Sequence, residues 1–121
     1  MHFSLRSRAD AEKTRAQEDW GSLTWLAGKA AGNCHELSLA RVIIRVGKTN
    51  PRHSHPNCAE ALYLLKGRLE HSAGAEKVVM DAGDTLVVAA GVAHNALNIG
   101  REDADMIVCY SSGQREFRRE T

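Results

Sequence analysis

The chain has 121 residues, of which 43% are hydrophobic and 26% charged, so it allows one soluble-type domain with a single hydrophobic core. Sixteen basic residues stand against 15 acidic ones, and this balance gives no electrostatic reason to expect nucleic acid or an acidic membrane as a partner. No apolar run approaches the roughly 20 residues needed to span a bilayer.

The predicted elements begin with a polar arm over residues 1–19. This segment is rich in Arg, Ala, Glu and Lys and has too few apolar positions for a buried face, which predicts a short helix or an arm. Its charged start lacks the apolar stretch of a signal peptide, and Cys34, Cys58 and Cys109 are widely spaced. We therefore expect a cytoplasmic chain without disulfides.

From residue 20 to residue 113 the sequence is typical of a β-rich domain. Short apolar and β-branched segments alternate with turn residues, and no helical pattern lies between them. The predicted strands cover 21–27, 37–46, 61–65, 68–72, 77–80, 85–89, 94–99 and 106–110. This arrangement favours an all-β antiparallel sandwich or barrel, followed by a polar, solvated tail over 114–121.

Two glycine-framed blocks, 47–67 and 83–98, contain the residues with metal-binding chemistry. Together they hold three histidines and one glutamate, namely His53, His55, Glu60 and His94. Residues two apart on a strand point to the same side, so His53 and His55 project together. The Pro-Asn turn at 56–57 allows Glu60 to return on a neighbouring strand with the same facing, and His94 must come from a third segment.

Three imidazoles and one carboxylate form a mixed nitrogen and oxygen ligand set. Such a set suits Fe(II), Mn(II), Ni(II), Co(II), Cu(II) or Zn(II) rather than an iron–sulfur cluster. Four protein ligands on an octahedral ion leave two positions for water, a bidentate substrate or oxygen. The ion is then able to act as a Lewis acid and as a template.

The spacing of the two blocks resembles the cupin superfamily. Residues 47–67 match G-x5-H-x-H-x3,4-E-x6-G at every fixed position, and residues 83–98 match G-x5-P-x-G-x2-H-x3-N except that Ala89 replaces the proline. The resemblance implies a small jelly-roll β-barrel over roughly residues 37–112, with the four residues above as metal ligands. It also implies a homodimer, because small single-domain cupins often pair through barrel edges and terminal strands.

Resemblance in fold does not define a reaction. We predict a metal-dependent enzyme that acts on a small organic molecule, of oxygenase, isomerase or lyase type. The alternative is a non-catalytic module that binds a metal and a metabolite, such as a sugar or a small acid. A purely structural metal is disfavoured, because structural sites are usually closed by four tetrahedral ligands.

Five further residues receive predictions from strand parity. Arg41 and Arg45 share one strand face; an inward face would allow them to bind a carboxylate, but we predict an outward, solvated face. Asn98 is interpreted as a hydrogen-bonding residue at a strand bend. His71 is predicted to lie on the surface, and Trp25 in the core or at an interface.

Overall fold

Alternating burial along the strands explains why this sequence forms sheets. Along Ser38–Ile44 and Ala104–Tyr110 every second side chain is buried, so each strand turns one face to the core. The computed structural model describes residues 2–120. Its helix and strands are α1 Arg8–Glu12, β1 Ala16–Glu18, β2 Gly21–Ala27, β3 Ser38–Ile44, β4 His53–Ser54, β5 Glu60–Lys66, β6 Arg68–Ala73, β7 Glu76–Asp81, β8 Thr85–Val88, β9 His94–Asn98, β10 Ala104–Tyr110 and β11 Arg118–Arg119.

The strands form two antiparallel sheets with a jelly-roll arrangement. The six-stranded sheet has the order β1-β2-β3-β10-β5-β8, and the five-stranded sheet has the order β11-β4-β9-β6-β7. Strands that are consecutive in the chain often lie in different sheets, as β4 and β5 or β5 and β6 do. The all-β fold class predicted from the sequence is confirmed, and each strand predicted between residues 21 and 110 is present.

The hydrophobic core lies between the two sheets. Val42, Leu64 and Met106 enter it from the six-stranded sheet, and Leu69 and Met80 enter it from the five-stranded sheet. All five side chains are at most 7% exposed. Their burial from water is the main favourable contribution to the stability of the barrel.

Gly67 is the point at which the chain leaves one sheet for the other. Its φ is +100°, and a Cβ at this position would lie 2.9 Å from the Cα of Ala104. Only glycine tolerates both the positive φ and the close approach of the neighbouring backbone. The pairing of β10 with β5 also shifts register beside this glycine, between Asp105 and Met106. The strand break predicted at Gly67 is therefore present.

The two termini are more structured than the sequence indicates. The predicted arm contains the five-residue helix α1 and the edge strand β1, and it packs on β2 of its own chain. The predicted solvated tail is largely exposed, and it also contributes β11, which pairs with β4. The first residue of the arm and the last residue of the tail lie outside the described residues. Among residues 2–120, no helix has the length and apolar character needed to cross a membrane.

Candidate metal centre

The four predicted ligands converge at one end of the core. His53 and His94 lie opposite each other where β4 pairs with β9, His55 follows β4, and Glu60 begins β5. One possible ligand atom from each residue can be chosen so that all four lie within 4.8 Å of one another. Each residue is at most 6% exposed. The structure therefore brings together every residue of the predicted set.

The loop before β9 delivers His94 to the centre without the proline expected there. The backbone N–H of Val92 donates to the carbonyl of Ala89 at 3.3 Å, which closes a turn. Gly91 adopts a φ of +79° and donates its N–H to the carbonyl of His55 at 3.0 Å. Backbone hydrogen bonds hold the turn, so Ala89 is compatible with the site.

Each imidazole is oriented by a backbone carbonyl. The three Nδ1 bonds join His53 to Pro51 at 2.6 Å, His55 to Glu116 at 2.8 Å and His94 to Val92 at 2.9 Å. A carbonyl oxygen only accepts, so these contacts place the proton on Nδ1 and leave the lone pair on Nε2. Outer partners of this kind commonly orient metal-binding histidines.

The interior of the site fits a cation. Oε1 of Glu60 lies 3.2 Å from Nε2 of His55 and 3.2 Å from Nε2 of His94. The His55 contact lacks hydrogen-bond geometry, and within residues 2–120 this buried Nε2 has no hydrogen-bond partner. With Nδ1 protonated, lone pairs of nitrogen and oxygen face one another. Such a cluster requires a metal ion or a proton between its members.

The pKa values of these groups reflect burial and mutual contact. Burial alone raises the pKa of Glu60, but the imidazoles of His55 and His94 outweigh it and the pKa is lowered. Burial alone lowers the pKa of His94, but the hydrogen bond that the protonated ring donates to Glu60 outweighs it and the pKa is raised. At His53, burial lowers the pKa to about 4, so this imidazole is neutral at physiological pH.

One side of the centre borders a cavity of about 410 Å³, which His53, Glu60 and His94 help to line. Its walls are largely apolar and include Trp20, Leu23, Trp25, Leu62, Met106 and Tyr110. A cavity of this size and character is typical of sites for small organic ligands. The candidate metal centre is therefore accessible to a ligand from within the barrel.

The prediction that His71 lies on the surface is wrong. This residue is 2% exposed, lines the cavity and stacks on His94 with ring centroids 5.8 Å apart. Its burial lowers the pKa to about 4. The break at Gly67 resets the alternation, so that Leu69 and His71 point inward on β6. The buried Leu69 two positions earlier is the sequence signal that identifies this facing.

The outward facing predicted for Arg41 and Arg45 is confirmed. Arg41 donates two hydrogen bonds to Asp105 on the neighbouring strand, at 2.9 and 2.6 Å, and Arg45 is exposed. The interpretation of Asn98 is also confirmed, because its amide donates to the carbonyls of Ile44 and Glu102 at 2.8 and 2.9 Å. These contacts stabilise the barrel and leave the cavity to other residues.

Sequence reasoning missed the contribution of residues 114–120, which we call the C-terminal strap. Phe117 stacks on His53 with ring centroids 4.6 Å apart, and Arg115 lines the cavity beside Trp25. Strand β11 fixes this segment by pairing Arg119 with His53. The strap has no alternating apolar pattern, so its attachment depends on long-range contacts that no local signal reveals.

Fold and site together define a jelly-roll β-barrel with a four-residue candidate metal centre. The family model described as "Cupin domain" matches residues 40–110, and the chain belongs to this family. Oxalate oxidase 1 from Hordeum vulgare is 32% identical over an 84-residue alignment that covers 63% of this chain and 42% of that protein. Germin-like protein 3-5 from Oryza sativa subsp. japonica is also 32% identical over 84 residues, covering 63% and 37%.

Solved structures agree with this assignment. An oxalate oxidase structure matches 86% of this chain and 57% of its own with a TM-score of 0.75 and 27% identity. Oxalate decarboxylase from Lactobacillus farciminis matches 88% of this chain and 33% of its own with a TM-score of 0.81, and its 20% identity supports similarity in fold alone. The chain spans 37% to 42% of the length of the two curated relatives.

Proposed function

We propose that His53, His55, Glu60 and His94 bind a divalent transition metal, and that the chain is a metal-dependent enzyme acting on a small carboxylic acid. The observation that carries this proposal is a buried four-residue centre, one side of which borders a cavity large enough for a small organic molecule. A closed structural site would be surrounded by protein instead.

The ligand set leaves the metal open among Mn, Fe, Ni and Zn. A metal in this position supplies a Lewis acid and a template for two further ligands. The chain's own residues hold three imidazoles in the Nδ1–H tautomer and keep Glu60 ionised by close contact with two of them. The largely apolar walls of the cavity lower the local dielectric constant around the centre, which strengthens the electrostatic interactions there.

The relatives narrow the class of reaction. They include proteins named oxalate oxidase and, at the level of the fold, oxalate decarboxylase. The name oxalate oxidase, carried by a relative of 32% identity, favours an oxygen-consuming reaction on an acid over an isomerisation. The non-catalytic metal- and metabolite-binding module is the alternative that the experiment below distinguishes.

The experiment begins with the metal content of the protein from its native host, measured by elemental analysis. Metal-free protein is then reloaded with each of the four metals and tested for oxygen uptake and carbon dioxide release on a panel of small acids. Turnover that is lost in Glu60→Gln and kept in Glu70→Gln supports the proposal. No turnover with any metal contradicts it, and metabolite binding without turnover supports the alternative module.

We also propose a homodimer formed through the outer face of β5 and β8. Tyr63, Leu65 and Val87 are 45%, 48% and 68% exposed on this face, and β8 is an edge strand of its sheet. Exposed apolar side chains beside an unpaired edge are typical of an association surface.

A cytoplasmic location is proposed as well. It is supported by three free cysteines, Cys34, Cys58 and Cys109, because thiols persist in a reducing compartment. Fractionation of the native host with an antibody against the chain tests it, and recovery outside the cytoplasm contradicts it.

A further inference from the structure

The guanidinium of Arg115 lies in the wall of the cavity, beside the candidate metal centre. Its Cζ is 5.0 Å from the ring centroids of Trp25 and Tyr110 and 5.2 Å from that of Phe117. One guanidinium nitrogen, Nη1, is 3.4 Å from Nδ1 of His55. The positive charge of Arg115 therefore lies beside the His55 ring, on the side opposite to its candidate ligand atom Nε2.

Within residues 2–120, no carboxylate forms a salt bridge with this charge. Nε of Arg115 is buried without a hydrogen-bond partner in that part of the chain. Nδ1 of His55 does not accept a hydrogen bond from it, because that nitrogen donates its proton to Glu116. The aromatic rings supply only a weak cation–π attraction.

Other arginines of the chain show the contrast. Arg41 pairs with Asp105 at 2.6 Å, Arg52 with Glu120 at 3.0 Å, and Arg68 with Asp81 at 3.0 Å. A guanidinium remains charged at all physiological pH values, and its planar donors match a carboxylate. Arg115 is the cavity arginine that is partly buried, whereas Arg119 also lines the cavity but is exposed to solvent.

The size and lining of the cavity constrain the ligand further. A cavity of about 150 Å³ is enough to hold a benzene ring. The present cavity of about 410 Å³ has room for a ring with a carboxylate attached, and a two-carbon diacid would leave much of its apolar wall against water. Trp20, Leu23 and Met106 offer surface that only an apolar group contacts favourably.

We propose that Arg115 recognises the carboxylate of an acid with an aromatic or branched apolar body, larger than oxalate. This inference rests on the proposed function for the location of the site. It adds the substrate class and a specificity-determining residue that comes from the C-terminal strap. The carboxylate pairs with the guanidinium while the apolar body lies against the aromatic wall.

The test measures binding to the zinc-loaded full chain by titration calorimetry. The probes are phenylacetate, oxalate and 2-phenylethanol, the last of which has the ring without the charge. Phenylacetate is expected to bind at least about tenfold more tightly than 2-phenylethanol, which lacks the hydrogen-bonded charge contact, and at least about tenfold more tightly than oxalate, which lacks the apolar body. Zinc is redox-inert, so binding is observed without oxygen chemistry.

Variants separate recognition by Arg115 from packing. Arg115→Met keeps an apolar chain between the rings and is expected to weaken phenylacetate binding at least about tenfold while zinc content stays unchanged. The phenylacetate affinity of Arg115→Lys is expected to lie between those of the native chain and Arg115→Met. The matched control Arg118→Gln is expected to bind phenylacetate as the native chain does. If Arg115→Met fails to fold, Arg115→Lys and the comparison of the three probes still decide.

The proposal is overturned if oxalate binds as tightly as phenylacetate, or if a folded Arg115→Met variant binds phenylacetate with native affinity. Turnover of oxalate by a chain that does not bind phenylacetate contradicts this inference and leaves the proposed function standing. Arg115-dependent binding of phenylacetate, with no turnover of any acid, supports the inference and contradicts the enzymatic function.

Discussion

Nδ1 of His55 donates a hydrogen bond at 2.8 Å to the carbonyl of Glu116, which lies 61 residues later in the chain. The same strap residue donates its N–H to Oδ1 of Asn57 at 2.8 Å, and Asn57 also donates to the carbonyl of Gln114 at 2.9 Å. Asn57 therefore ties the C-terminal strap to the loop that carries His55. The tautomer of one candidate ligand depends on a segment outside both histidine-containing blocks.

Removal of the strap is expected to weaken metal binding. A chain ending at Gly113 leaves His55 without its backbone acceptor, and loss of such an outer partner typically lowers metal affinity by about 10–100-fold. Competition with a coloured chelator measures this change. Glu116→Ala is the matched control, because it keeps the carbonyl and should retain native affinity. Native affinity in the shortened chain would show that the strap does not orient His55.

Acid is expected to destabilise the metal-free protein. Burial lowers the pKa of His53 and of His71 from the usual 6.5 to about 4. Between these values the unfolded chain binds more protons, so the free energy of unfolding falls as the pH falls from 6.5 to 4. Each imidazole accounts for about 3 kcal/mol at most. Urea unfolding of chelator-treated protein at several pH values measures the slope.

Two further groups modify this dependence. His94 has a raised pKa, so its stabilisation is present at low pH and is lost as the pH rises through the folded-state pKa. Glu60 has a lowered pKa, and its stabilisation is lost only as the pH falls below its usual value of 4.5.

The variant His71→Gln tests the contribution of that imidazole. Its free energy of unfolding should change less steeply with pH between 6.5 and 4 than that of the native chain, whereas the surface variant His2→Gln should follow the native chain. An unchanged slope in His71→Gln would contradict the assignment.

Strand parity in β5 gives a stability test within two adjacent residues. Leu64 is fully buried between the sheets, and Leu65 is 48% exposed on the outer face. Leu64→Ala is expected to cost about 2–5 kcal/mol in the free energy of unfolding, because it removes buried surface and leaves a cavity. Leu65→Ala should cost less than about 1 kcal/mol when both variants are compared in a Val87→Asp background, which removes the proposed dimer interface. Chemical denaturation measures the free energy of unfolding of both variants. Equal losses in the two variants would contradict the inward facing of Leu64 and the outward facing of Leu65.

Disruption of the outer face of β5 and β8 is expected to yield monomers. Val87→Asp introduces a charge into the most exposed part of the apolar surface, and burying an unpaired carboxylate in an interface is strongly unfavourable. Light scattering should give the mass of a dimer for the native chain and about half that mass for the variant. Val78→Asp, on β7 of the other sheet, is the control. A native monomer, or a Val87→Asp dimer, would contradict this interface.

Much of the fold and of the candidate centre follows from local features of the sequence. The His-x-His pair shares a face because strand side chains alternate, and the turn between His55 and Glu60 returns the chain to the same side. Gly67 and Gly91 mark breaks where the backbone adopts positive φ. These are short-range properties, so they are readable from the order of residues without knowing which strands pair.

The alternation argument failed at His71 for a physical reason. The prediction counted alternating positions from Glu60 onward, across Gly67. At Gly67 the chain passes into the other sheet, so the positions that face inward before this glycine are not the ones that face inward after it. Only strand pairing shows that His71 stands opposite Ala96 and faces the cavity. Reading inward positions from Leu69 instead of from Glu60 gives the correct facing.

The sequence by itself therefore determined the all-β class, eight of the eleven strands within residues 2–120 and the four residues of the candidate centre, because alternation and glycine breaks act over a few residues. Only the tertiary structure decided the cavity, the buried His71 and the strap that brings Arg115 and the Glu116 carbonyl to the site. Those features arise from contacts between residues far apart in the chain, such as Trp25 with Arg115 and His55 with Glu116. Their energies depend on packing and on desolvation, which no local pattern of residues records.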